Sequence, residues 1–161
     1  METKKVLILV VVGLLVMVSI SFADFFAGIE VGTGGFSIAG GMDTGSSLIE
    51  LTITPMSGTI GFGGGYTQLI GKIYDGKVGD SGTIVVHWGA GGSVYFASVY
   101  GYSVFGIGVG PALIEHLVIN KIKLLSTQMA GITYTPGIRT EYGTYGGGIS
   151  FGISGGVFYE F

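Results

Sequence analysis

The chain has 161 residues, of which 48% are apolar and only 11% charged, with seven Lys and Arg against ten Asp and Glu and with 33 glycines. So apolar a composition excludes a disordered chain, and the slight acidic excess excludes the basic stripe that nucleic-acid backbones require, so no nucleic-acid partner is expected. Glycine without a Gly-X-Y period, alongside three prolines, is not collagen, and the absence of cysteine excludes a disulfide framework and lipid attachment at position 24.

Residues 1–23 read as a secretory signal peptide: Lys4 and Lys5 precede an apolar run over 6–18, and Ser21-Phe22-Ala23 supplies small residues at the two positions a signal peptidase inspects. Cleavage is expected after Ala23. The alternative is an uncleaved anchor, although an apolar run of about 15 residues is short for a span of about 20. The remainder, 24–161, is one domain with five basic residues, Lys72, Lys77, Lys121, Lys123 and Arg139, and nine acidic ones.

From residue 25 onward the dominant pattern is alternation with period 2. Phe25, Ala27, Ile29 and Val31 stand opposite Phe26, Gly28, Glu30 and Gly32. A second strand follows over 36–42. The third, over 48–54, sets Ile49, Leu51 and Ile53 against Glu50, Thr52 and Thr54. Further strands are expected over 59–66, 83–91 (Ile84, Val86, Trp88 and Ala90 opposite Val85, His87 and Gly89), 93–109 and 117–135. The last, 148–161, alternates most regularly: Ile149, Phe151, Ile153, Gly155, Val157, Tyr159 and Phe161 share one face. Turn residues over 33–35, 43–47, 55–58, 91–92 and 135–137 imply hairpins, hence an antiparallel meander. Two connections are expected to be longer, 69–82 and 110–116, and 111–116 is the segment suited to a helical turn. The count is about eight strands, or ten if 93–109 and 117–135 are each divided.

An all-β exported chain must bury an apolar face on nearly every strand. A soluble sandwich would turn that face inward and expose the opposite one, yet the opposite face here carries Gly, Ser and Thr with few charges. A closed transmembrane barrel resolves this, with the apolar face in lipid, the small polar face in the lumen and no unpaired strand edge. The expectation is therefore an antiparallel up-and-down transmembrane β-barrel, with membrane lipid as its partner. Trp88, Tyr95, Tyr100, Tyr102, Tyr142, Tyr145 and Tyr159 are candidates for its aromatic girdles.

With the leader, the alternation and a final strand ending Val157-Phe158-Tyr159-Glu160-Phe161, the chain resembles the small outer-membrane β-barrel proteins of Gram-negative-type bacteria. In that family the last residue is typically Phe, preceded by apolar or aromatic residues at alternate positions. Phe161, Tyr159, Val157 and Ile153 fit, and Gly155 interrupts the pattern. The resemblance implies that Val157, Tyr159 and Phe161 form an assembly signal read by the barrel-assembly machinery, and that the protein sits in the outer membrane of the cell envelope as a structural, surface or narrow porin-like protein.

Parity places Glu30, Glu50, His87, Lys121, Lys123 and Arg139 as candidate lumenal charges. Eight strands enclose an interior just wide enough for side chains, and unpaired ions there cost several kcal/mol. Glu30 and Glu50 are accordingly expected to pair with Lys121, Lys123 or Arg139 and close the lumen, unless these charges lie at the rims in water. Lining glycines such as Gly28, Gly61, Gly63 and Gly65 would instead leave room for a narrow pore.

Other motifs carry less chemistry. Asp43-Thr44-Gly45-Ser46-Ser47 resembles an aspartic-protease active site, which would require a homodimer to supply a second Asp43, but the same residues are those of a hairpin turn. Gly71 to Lys77 has the spacing of a phosphate-binding loop, but Val78 stands where Ser or Thr would hold Mg²⁺, which leaves an exposed loop. His87 and His116 are far apart in sequence and no cysteine accompanies them, so no metal site is expected, and His116 is placed at a rim. No cofactor motif and no catalytic constellation is present. The expected function is a non-enzymatic outer-membrane barrel; the alternatives are a secreted soluble β-domain that binds a partner and, further off, an acid protease dimer.

Overall fold

The structure, a computed structural model, describes residues 23–33, 35–56, 59–99, 102–135, 138–140, 143–145 and 148–161. The expected leader, but for Ala23, lies outside them. Eight strands close a barrel: β1 (Asp24–Gly32), β2 (Gly35–Asp43), β3 (Ser47–Met56), β4 (Thr59–Val78), β5 (Gly82–Val99), β6 (Tyr102–Ile119), β7 (Ile122–Tyr134) and β10 (Gly148–Glu160). Between β7 and β10, β8 (Ile138–Thr140) and β9 (Gly143–Tyr145) form a separate two-stranded hairpin. Every neighbouring pair in the barrel is antiparallel, and β10 closes the ring by pairing with both β7 and β1. Closure removes the strand edges that an open sheet would expose.

Both described chain ends lie at one rim, termed here the terminal rim, with the short turns after β2, β4 and β6. The opposite, far rim carries the reversals after β1, β3 and β5 and the longest connection, which contains β8 and β9. The expected 69–82 loop is strand but for a tight turn over 79–81. β4 runs on past the end of β3 and forms a hairpin with β5 from Gln68↔Ala90 to Val78↔Gly82, with register irregularities after Leu69 and Lys72. The phosphate-loop-like stretch 71–77 is therefore a paired strand and not a loop.

Two glycines expected to mark a turn, Gly91 and Gly92, lie inside β5. A Cβ on Gly91 would stand 2.6 Å from Thr67 Oγ1 and 2.7 Å from the Tyr66 carbonyl oxygen, so glycine serves close strand approach there rather than reversal. The true reversals divide the runs 93–109 and 117–135: the chain turns between Val99 and Tyr102, which pair, and at Asn120, whose φ of 54° is one that Asn tolerates. The 110–116 connection, including the expected helical turn, belongs to β6. Pro111 is accepted because pairing with β7 lapses at that point, between Val109↔Ile132 and Ala112↔Met129, where a missing N–H costs no ladder bond.

The two faces of the barrel differ sharply. Outward side chains include Ile29, Val31, Ile38, Leu51, Ile53, Ile60, Phe62, Val109, Ile132 and Val157, with Ile149 82% and Phe151 73% exposed. Inward positions carry Gly, Ala, Ser, Thr and a few charges, joined toward the terminal rim by Phe26, Leu48, Ile114, Leu125 and Phe158. Exposed Lys72, Asp75, Lys77, Asp80 and Lys121 all lie on the β4–β5 hairpin or the β6–β7 turn, beside the terminal rim.

Candidate functional site

The lumen has two halves of different chemistry. Near the terminal rim it is filled. Phe26 of β1 and Phe158 of β10 meet edge to face with ring centroids 5.1 Å apart, and Ala39, Leu48, Ala112, Ile114 and Leu125 complete a buried cluster. Phe158 is 1% exposed, so the layer is as tight as a soluble core.

A charged network is set into this layer. Lys123 of β7 is 2% exposed, and its Nζ donates to Asp43 Oδ2 at 2.7 Å, stands 3.8 Å from Glu160 Oε2 and lies 5.2 Å from the centroid of the Phe26 ring. His116 Nδ1 stands 3.3 Å from the same Asp43 oxygen. The other oxygen of Asp43 accepts the Gly45 N–H at 2.8 Å and so shapes the β2–β3 turn, where Gly45 has a φ of 74°. Asp43 thus holds the turn with one oxygen and two lumenal bases with the other. The protease reading needs this carboxyl at a dimer interface beside a second Asp43; instead it is enclosed in the barrel and committed to Lys123.

The far half is open. A cavity of 510 Å³ is lined by hydroxyls and glycines, among them Ser37, Thr52, Thr54 and Ser93, and reaches Thr33 and Met56 beside the far-rim turns. Ser37 and Thr54 are hydrogen-bonded to each other at 2.8 Å across β2 and β3. At the inner end of this half the Glu30 and Glu50 carboxyls lie within hydrogen-bond reach of each other, and Glu30 also reaches Ser154.

The expected pairing of Glu30 and Glu50 with Lys121 or Lys123 is corrected by this geometry, while the side chain of Arg139 lies outside the described residues. Lys123 opens β7 beside the terminal rim, where Asp43 at the end of β2 meets it, and the two glutamates face each other. Lys121 lies exposed at the β6–β7 turn with Nζ 5.6 Å from the centroid of the Tyr159 ring. Arg139 belongs to the β8–β9 hairpin, outside the barrel ladder. His87 lines the lumen side of β5. His116, expected at a rim, is buried inside, with its ring centroid 5.8 Å from that of His87.

Among the described residues, Glu50 Oε2, His87 Nδ1 and His116 Nε2 are buried side-chain atoms without a hydrogen-bond partner. No group of three or more His, Cys, Asp and Glu side chains among the described residues is placed to hold a metal ion. Asp43, His116 and Glu160 are the lumenal groups the sequence reading passed over. Parity would have found two of them: Asp43 follows Ser37, Ala39 and Gly41 on one face of β2, and Glu160 follows Phe158 on β10. His116 lies in β6 beyond Gly110 and Pro111, which interrupt the alternation that would mark it as inward.

Of the expected girdle residues, Trp88 and Tyr159 face outward, whereas Tyr95 shares the inward face of β5 with Ser93 and Ala97, its hydroxyl 3.1 Å from Thr135 Oγ1. Tyr100 and Tyr142 lie outside the described residues, as do the side chains of Tyr102 and Tyr145. Val157, Tyr159 and Phe161 all point outward on the closing strand, and the Phe161 N–H donates to the Phe25 carbonyl at 2.9 Å. Comparison with family models, with curated proteins and with solved structures finds no match to this chain.

Proposed function

We propose that the chain is a small outer-membrane β-barrel, exported through its 1–23 leader, that serves as a structural or surface protein with its lumen closed to bulk flow. The observation that carries this reading is the apolar outer face that runs over β1 to β7 and β10, on which the described charges gather at the β4–β5 hairpin and the terminal rim, with Glu115 on the outward side of β6 the exception. In water, so large an exposed apolar surface would drive association; in a bilayer it is the face that lipid solvates. A closed ladder leaves no backbone group unpaired in hydrocarbon, which is the condition for spanning with strands.

Two further features agree with it. Short turns share the terminal rim with both chain ends while the longest connection lies opposite, as in barrels whose ends face the periplasm. Lys121 over Tyr159, together with Tyr66, Trp88 and Phe161, places amphipathic and aromatic side chains toward the terminal rim, where a membrane interface would run. Closure is supported by the packed Phe26, Phe158 and Lys123 layer.

The test is fractionation followed by SDS electrophoresis with and without boiling. The expected result is an outer-membrane protein whose mobility shifts on heating, with a smaller shifted fraction when Phe161 is deleted, since the assembly machinery would then read an incomplete signal. A soluble protein, or one retained at the inner membrane without a shift, overturns the reading and favours the soluble β-domain or an anchored form.

A further inference from the structure

The two histidines make a constellation that neither a structural barrel nor a closed lumen requires. His116 is more than nine-tenths buried, with 8% of its side chain exposed, and its two nitrogens have different surroundings. Nδ1 faces Asp43 Oδ2 at 3.3 Å. Asp43, bound to Lys123, is an acceptor, so the proton of the neutral imidazole sits on Nδ1 and the lone pair on Nε2. Nε2 is buried and makes no hydrogen bond, and the same is true of Nδ1 of His87. The rings stand 5.8 Å apart, centroid to centroid, tilted by 59°.

We infer that His87 and His116 form a binding site for one first-row divalent cation, held by Nδ1 of His87 and Nε2 of His116, with water in the remaining positions and Asp43 as the outer partner of His116. The distance suits this: two imidazoles sharing one ion at N–metal distances of about 2.0–2.1 Å have ring centroids roughly 5–6 Å apart. The tautomer suits it too. A ligating histidine usually donates its other N–H to a carboxylate, which fixes the ring and raises its basicity. Imidazole donors without thiolate or further carboxylates select Cu²⁺, Ni²⁺ or Zn²⁺ over Mg²⁺ or Ca²⁺, with Cu²⁺ the strongest in the series. Lys123 does not compete, because its ammonium is held by Asp43 and Glu160. His87 is only partly buried and supplies the route by which the ion enters from the terminal rim.

The chain holds one tryptophan, Trp88, next to His87, and a copper ion at this site would quench its fluorescence. The experiment is a Cu²⁺ titration of the untagged, folded full-length barrel in detergent, followed by Trp88 emission and by calorimetry, with Zn²⁺ as competitor and Mg²⁺ as control. Saturation is expected at one equivalent, with displacement by Zn²⁺ and no effect of Mg²⁺. His87→Ala removes a partly buried side chain whose Nδ1 makes no hydrogen bond, and it should abolish the one-equivalent step while the protein keeps its heat-shifted, folded form. Asp43→Asn should weaken binding about 10–100-fold through loss of the outer-partner carboxylate. Glu30→Gln, at the other end of the lumen, should leave it unchanged. Absence of a one-equivalent step, or its persistence in the heat-shifted, folded His87→Ala protein, overturns the site and leaves the two nitrogens to a bridging water.

Discussion

Lys123 is the residue on which the packed half of the lumen turns. It is fully enclosed there, it carries a charge, and its ammonium meets Asp43 and Glu160 beside the Phe26 ring. Breaking such a buried pair on one side leaves the other charge uncompensated, a loss of about 3–5 kcal/mol. Lys123→Met is accordingly expected to destabilise the folded barrel by that amount in urea unfolding from detergent. Asp43→Asn keeps an acceptor for Gly45 and removes the charge, so the double variant should recover part of the loss; a double variant as unstable as the sum of the two singles would show that the pair does not interact. Gly156 makes a different point. A Cβ there would stand 2.5 Å from the Phe158 ring and 2.6 Å from the Ile29 carbonyl oxygen, and the carbonyl belongs to the ladder. Gly156→Ala should cost about 1–3 kcal/mol as an overpacked position, read from the same unfolding curves. Both residues sit on the inward face that alternation marks, but only contact across the barrel shows that one is a keystone and the other a clearance.

Among the elements, β3 separates the two faces most cleanly. Leu51 and Ile53 are exposed on the outside, and Glu50, Thr52 and Thr54 line the lumen. Arginine on a lipid face near the bilayer midplane costs about 2–4 kcal/mol. Leu51→Arg should therefore reduce the heat-shifted fraction recovered from membranes, whereas Thr52→Ser on the lumen side should not; equal effects would remove the lipid-facing assignment. The same alternation was legible in β1, β2, β3 and β10, where short strands are bounded by turn residues. It was misleading in β4, β5 and β6. Glycine in this chain has two uses, reversal and close approach, and sequence presents both alike: Gly45 turns the chain with a positive φ, while Gly91 and Gly92 let β5 pass close to its neighbours. Pro111 was similarly ambiguous until the lapse in the β6–β7 ladder accounted for it.

At the scale of the whole molecule, the barrel is asymmetric along its axis. One half is packed and bears a buried ion network; the other is a cavity of 510 Å³ with a carboxyl pair at its inner end. Because the packed half lies across the lumen, the protein reconstituted in planar bilayers is expected to give no conductance steps. Regular single-channel openings would show that the Phe26 and Phe158 layer parts, and would move the reading from a closed barrel to a narrow channel.

The sequence by itself determined the all-β class, the antiparallel order and the inside-out polarity; it left eight or ten strands open, and closure gives eight in the barrel and two in a separate hairpin. Class, order and polarity follow from period-2 alternation and turn chemistry, which are properties of residues near one another in the chain. It did not determine which charges meet. Asp43 and Lys123 are 80 residues apart, and strands β2 and β7 are not neighbours in the sheet. Their contact depends on the stagger with which β10 closes onto β1, a quantity set by all the pairings together. For the same reason two histidines remote in sequence come to face each other, and Glu30 finds Glu50 rather than a lysine. Parity tells that a side chain points inward; only closure tells what it finds there.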